Sequence, residues 1–246
     1  MAWCTIDRPG ARNAMTPAMY FGLRRAVRLV NSDPELAALI ITGSGDVFCP
    51  GGELGGRQEE GEDSVEGVRD DFTPFAAMRE SEAPVVVAVN GICQAGGLLF
   101  AMMADIAVVS DQAEFRVPEL LRGLPDPQFG AFLPAFVGLA RAKDLCLTAR
   151  RFGAEEAKEM GLVARVVKHN ELHSAARQAA EDVLQTAPGA RVLAKRMLYE
   201  ACPSPDMITL RYMRDHSPEL KEGFTAFVEK RAPDWVPESM RERGRL

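Results

Sequence analysis

The sequence predicts an α/β fold, in which a sheet is covered on both faces and helices make up the last third of the chain. Three observations carry this. Residues 39–42, 84–89 and 106–109 are short, uniformly apolar runs, the pattern of strands buried on both sides. Helices read between such strands indicate a sheet covered on both faces. From Ala140 onward, apolar stripes at helical spacing recur in residues 172–185, 188–201 and 218–230. With 246 residues, 47% of them hydrophobic, the chain can bury one large core and is marginal for two domains.

Taken in order, residues 3–6 form a short β-type run that stops at Asp7-Arg8-Pro9-Gly10. Residues 13–30 follow with helical spacing. Thr16 stands as N-cap with Pro17 at the first helical position, and Leu23, Ala26, Val27 and Val30 share one face. Asn31-Ser32-Asp33-Pro34 ends the helix, and the strand 39–42 is closed by Gly43-Ser44-Gly45. Residues 53–71, rich in Gly, Glu and Asp, read as a loop, and residues 53–75 with 129–136 as walls of a pocket. No internal repeat stands out.

Charge and composition exclude several classes. The 29 basic and 35 acidic residues leave a net charge of −6, and no basic stripe invites a nucleic acid. No uncharged apolar run approaches the ~18 residues of a membrane helix, because the best one is broken by Asp105. The start lacks the basic and apolar regions of a signal peptide, so a cytoplasmic protein is expected. Five cysteines, an odd number and widely spaced, fit a reducing compartment rather than a disulfide framework or zinc site.

Two strand-to-glycine turns could carry chemistry: Ile41 to Leu54, containing Gly51-Gly52, and Val89 to Gly97, containing Gly96-Gly97. Bare backbone at a helix start presents unpaired N–H groups to negative charge. Two such turns together could stabilise charge on a carbonyl oxygen. Close packing in tight turns is the alternative reading. Nucleotide-binding glycine patterns and a serine-nucleophile elbow are missing from the sequence. His169 and His173, four apart beside Lys168, fit a solvated surface better than a metal site, and His216 a structural role. Glu119, in Val117-Pro118-Glu119-Leu120-Leu121, is a carboxyl in an apolar setting, either a desolvated general base or a surface residue at a helix start.

These segments together resemble the crotonase (enoyl-CoA hydratase/isomerase) superfamily from about Ile6 to Trp235. Asp7-Arg8-Pro9 with Asn13-Ala14 is similar to its opening. Thr42-Gly43-Ser44-Gly45 to Gly51-Gly52-Glu53-Leu54 is similar to its first signature. Ala83-Pro84 to Asn90-Gly91, Ala95-Gly96-Gly97 and Asp105 are similar to its second. Phe115 to Gly123 resembles the segment with a catalytic glutamate, and Glu222-Gly223-Phe224 to Arg231 the C-terminal helix. The resemblance implies a spiral of ββα turns over residues 1–190. It implies a helical region over 191–246 that builds trimers or hexamers and part of the coenzyme A pocket. The implied substrate is an acyl-CoA thioester, with no cofactor beyond the coenzyme A it carries, and no metal, nucleic acid or membrane partner. By position, the backbone N–H groups of Gly52 and Gly96 become oxyanion donors and Glu119 the acid/base. Gly51, Leu99 and Pro118 become pocket residues. Arg12 and Lys230 become coenzyme A contacts, the latter from its own or a neighbouring subunit.

Three departures stand out. The family's other hydratase glutamate would fall at Leu99, which cannot transfer a proton, so a one-base double-bond isomerase is expected ahead of a hydratase. The loop Gly123-Leu124-Pro125-Asp126-Pro127 is one residue short of the family pattern. In it Asp126 stands near where some members place an additional acid, although a Pro-Asp-Pro turn is the simpler reading. A hydratase drawing its second acid from Asp126 or Glu53, and a non-catalytic acyl-CoA binder, remain alternatives. The chain also starts with less β-structure before Arg8-Pro9 than the family pattern, which would leave a sheet edge less covered.

Overall fold

Leu39–Gly43, Val85–Val89 and Ile106–Ser110 become the three middle strands of a five-stranded parallel sheet, for the reason their composition suggests. Their alternate side chains face two cores. Ile41, Val85, Val87, Val89 and Val109 enter the main one, while Ile40, Val86, Ala88 and Val108 lie under a helix. The computed structural model describes residues 1–53 and 73–241. Of the loop expected over 53–71 and the pocket wall expected over 53–75, residues 54–72 lie outside the described residues, while Glu53, Thr73 and Phe75 line a cavity.

In chain order the elements begin with β1 (Ala2–Ile6), α1 (Pro17–Ser32), β2 (Leu39–Gly43), β3 (Val47–Cys49) and α2 (Phe75–Glu80). They continue with β4 (Val85–Val89), β5 (Ile92–Gln94), α3 (Gly96–Met103), β6 (Ile106–Ser110) and β7 (Glu114–Arg116). Next come α4 (Pro127–Val137), α5 (Leu139–Thr148), β8 (Phe152–Gly153), α6 (Ala154–Glu159), β9 (Arg165–Val167) and α7 (Leu172–Leu184). The last helices are α8 (Pro188–Tyr199), α9 (Met207–His216), α10 (Pro218–Glu229) and α11 (Glu238–Arg241).

The large sheet runs β1-β2-β4-β6-β9 and the small one β3-β5-β7-β8. Each turn of the chain therefore gives one strand to the large sheet and the next to the small one, in the pairs β2/β3, β4/β5 and β6/β7. This is the ββα spiral. Its repeat is one of geometry and not of residue identity, which is why no sequence repeat stood out. The small sheet escaped the sequence reading because its strands are two or three residues long, too short to show a period. β1 forms one edge of the large sheet, in parallel register with β2 (Cys4 beside Ile41).

Helix α1 follows its sequence signals. Thr16 accepts from the Met19 amide at 3.3 Å, Pro17 opens the helix, and Tyr20, Leu23, Val27 and Val30 are buried at spacings of three and four. The small residues Ala176, Ala179 and Ala180 bring α7 close to the second face of the sheet. Gly97 to Met103 of α3 are all buried, so this helix forms the centre of the molecule and shows no stripe.

Contacts at α8 and at α10 tie the C-terminal helices to the spiral. Lys195 of α8, almost fully buried, pairs with Asp105 at 2.7 Å and donates to the Ser81 carbonyl at 2.6 Å. Asp105 in turn accepts from the Val85 amide at 2.8 Å. α10 lies against the 3-10 turn Glu119–Arg122, and side chains at Gly123 or Gly223 would collide with the opposing backbone.

Candidate active site

The two glycine turns touch. Gly51 has φ +104°, and a Cβ on it would stand 2.6 Å from that of Ala95 in the second turn. Beyond it, the Met15 amide donates to the Gly51 carbonyl and the Glu53 amide donates to the Met15 carbonyl, both at 2.9 Å. This short parallel bridge spans Gly52 and leaves its own N–H outside the ladder. In the second turn, the Leu98 and Leu99 amides donate to the Ala95 carbonyl at 2.9 and 3.2 Å. Gly96 is the first residue of α3, where an N–H has no partner inside the helix and the dipole is positive. Gly52 and Gly96 line one cavity of about 730 Å³. Such an arrangement can receive an oxyanion.

Glu119 enters the same cavity from the strand side. β7 leads through Val117 and Pro118 into the 3-10 turn that Glu119 opens, and only 6% of the residue is exposed. Its Oε2 has no hydrogen-bond partner among the described residues. Burial, and then the nearby charge of Asp126, push its pKa up to about 8. The opposing pull of Arg122 is weaker, and that guanidinium stacks 4.0 Å from the Phe227 ring centre. Glu119 is thus a carboxylic acid at neutral pH, within reach of its ionised form, as proton exchange with carbon requires.

Asp126 serves two purposes. One oxygen caps α4 by accepting from the Gln128 amide at 2.7 Å, so the turn reading holds, yet the side chain also lines the cavity. Burial raises its pKa too. Residues 129–136, expected only as pocket wall, belong mainly to α4 and the core. Among them Phe129, Ala131, Phe132 and Leu133 are buried, and none lines this cavity.

The other expected residues divide. Leu99, 2% exposed, and Pro118 form cavity wall. Arg12 lines the cavity from a left-handed backbone position, φ 51°. Gly51 is buried behind the lining. Glu53 lines the cavity but pairs with Arg8 at 2.9 Å, which ties up one of its oxygens. Lys230 is the exposed C-cap of α10 and is not among the residues that line this cavity. His169 meets the Ser110 hydroxyl at 3.0 Å and His173 stacks on Trp3 at 5.0 Å, so the two imidazoles have separate partners.

Sequence reasoning missed several lining residues. Tyr20 lies beside both glycines, and the stripe of α1, extended back three residues from Leu23, would have found it. Arg116 and Arg151 come from the small sheet and its border, while Phe224 and Phe227 come from α10. Their meeting depends on tertiary contacts that no local pattern reports.

A family model described as enoyl-CoA hydratase/isomerase matches residues 1–238. A carnitinyl-CoA dehydratase of Salmonella typhi is 36% identical, over 94% of this chain and 93% of its own. Among solved structures, a carnitinyl-CoA dehydratase from Mycobacterium avium 104 superposes with TM-score 0.78 at 31% identity, covering 95% of this chain and 94% of that one. A monofunctional enoyl-CoA isomerase from M. smegmatis superposes with TM-score 0.67 at 28% identity, covering 80% and 87%.

Proposed function

The chain belongs to the enoyl-CoA hydratase/isomerase family, and from that premise we propose that it moves the double bond of an enoyl-CoA thioester with Glu119 as the single acid/base. The observation that carries this reading is the contrast across the cavity: a desolvated carboxyl at Glu119 and an apolar side chain at Leu99. Ionised Glu119 removes a proton from the carbon next to the thioester carbonyl. The electron pair moves onto the carbonyl oxygen, which the N–H groups of Gly52 and Gly96 hold. The same carboxyl returns the proton two carbons along the chain. No water enters, so no second base is needed.

In this reading Arg12 meets a coenzyme A phosphate. Residues 191–246 complete the pocket and join subunits in a trimer or hexamer, which would cover the exposed Leu193, Met197 and Leu198 of α8 and Ile208 of α9.

A second reading has its own support. Asp126 reaches the cavity and could orient water, and two of the relatives named above are dehydratases. In that case the protein adds or removes water with Glu119 and Asp126 as the pair. Mass spectrometry of 2- and 3-enoyl-CoA thioesters incubated in deuterated water separates the two. Isomerisation shifts the double bond without mass gain of water, and hydration adds the mass of water. A protein that neither shifts the double bond of any thioester, nor hydrates it, nor labels it is a binder, and both readings then fail.

A further inference from the structure

The geometry points to Tyr20 as a third hydrogen-bond donor to the thioester oxygen, alongside the two glycine amides. Tyr20 comes from α1, whereas the amides belong to the turns after β3 and β5. A Cβ built on Gly96 would stand 2.6 Å from the Tyr20 hydroxyl oxygen, and one built on Gly52 3.7 Å from it. The hydroxyl is therefore beside both turns, where the reaction places its charge. The residue is 9% exposed, lines the cavity with Glu119 and Asp126, and its ring is fixed against Phe100 at 5.9 Å between centres.

The chemistry suits a donor that keeps its proton. Burial above all pushes the phenol well above its ordinary pKa. When Glu119 takes the substrate proton, the electron pair goes to the thioester oxygen and the tyrosine shares its O–H without giving it up. A phenol can accept another bond while donating this one. A Cβ at position 96 would exclude the hydroxyl, so Gly96 has a second reason to lack a side chain.

This inference rests on the proposed thioester chemistry, and the test keeps the two apart. The probe is 4-dimethylaminocinnamoyl-CoA, whose absorbance moves to the red as its carbonyl is polarised. In the wild-type protein bound probe should be red-shifted. In Tyr20→Phe the shift should shrink, and turnover of enoyl-CoA should fall by about 10–100-fold with KM changed by less than about threefold. Replacing Tyr20 by 3-fluorotyrosine keeps the ring and strengthens the donor, so the red shift should grow. That replacement decides the matter if the phenylalanine variant folds poorly. An unchanged red shift in both variants, with the wild-type shift intact, overturns the role of Tyr20 and leaves the thioester chemistry standing. If the wild-type protein binds the probe without any red shift, both fall.

Discussion

Among the described residues, Asp105 and Glu119 are both acids largely withdrawn from water, and they are held differently. Asp105 lies under α8 with Lys195 at 2.7 Å and the Val85 amide at 2.8 Å. Glu119 lies in the wall of the cavity with one oxygen unpartnered and no ion pair among the described residues. Burial pushes both pKa values up, but at Asp105 Lys195 and two hydrogen bonds pull the other way. At Glu119 a second acid, Asp126, pushes further. Burial alone therefore does not mark a working carboxyl. The missing counter-charge does, because a fully paired carboxylate is fixed in one protonation state and cannot pass a proton back and forth.

The largest test removes the unpaired group. Glu119→Gln should cost about 10³-fold or more in turnover while acyl-CoA binding is kept, since the amide is nearly isosteric but accepts no proton. The same substitution should stabilise the fold. A carboxyl whose pKa is about 8 when folded and 4.5 otherwise costs stability progressively as pH rises from 4.5 to 8, because the folded chain holds a proton that the unfolded chain releases. Glutamine has no such cost. The gain in denaturant midpoint should be larger at pH 8 than at pH 5, and a loss of stability at both would contradict the desolvated carboxyl.

Lys195→Met tests the other side. It strands Asp105, and breaking a buried pair costs about 3–5 kcal/mol. The expected result is a large fall in melting temperature with kcat of the surviving folded protein little changed. Asp105→Asn in addition should recover part of the loss, as the orphaned charge is then gone.

How much of this contrast was visible in the sequence differs between the two sites. The strands 39–43, 85–89 and 106–110, the Thr16 cap and the three C-terminal helices were legible because each is a local pattern. Glu119 was legible through its apolar neighbours and its place in a family motif. The Lys195–Asp105 pair was not, since ninety residues separate the partners, and although Asp105 stood in a family motif nothing local pointed to Lys195. The small sheet was too short for periodicity. Tyr20 was hidden in plain view, three residues from a buried leucine, because an apolar stripe reads as core and its hydroxyl has no sequence signal. Lys230 stands in its motif as the exposed α10 C-cap, outside the lining of this cavity.

A smaller effect comes from the second acid. Because the Asp126 charge helps raise Glu119, Asp126→Asn should lower the Glu119 pKa. Isomerisation needs the ionised base, so the wild-type kcat/KM should climb with pH through about 8, and in the variant the same limb should lie at lower pH. A limb that does not move would mean the two carboxyls are not electrically coupled. If instead hydration disappears while isomerisation persists, Asp126 is the acid that orients water.

The smallest expected change builds a second unpaired carboxyl where the family's other glutamate would stand. Leu99 is on α3, three residues after Gly96, in an apolar wall. A glutamate in that wall should behave like Glu119 and not like Asp105: protonated, and costly to ionise. Leu99→Glu should lower stability by about 1–3 kcal/mol for the buried polar group. Hydration measured against isomerisation should rise only about tenfold, because a carboxyl displaced by about 1 Å from its working position can lose 10² in rate. The ratio of the two products by mass spectrometry is the measurement. If the wild type already hydrates 2-enoyl-CoA quickly, and neither Glu53→Gln nor Asp126→Asn slows it, then Leu99 does not decide the reaction and the contrast across the cavity is not what selects the chemistry.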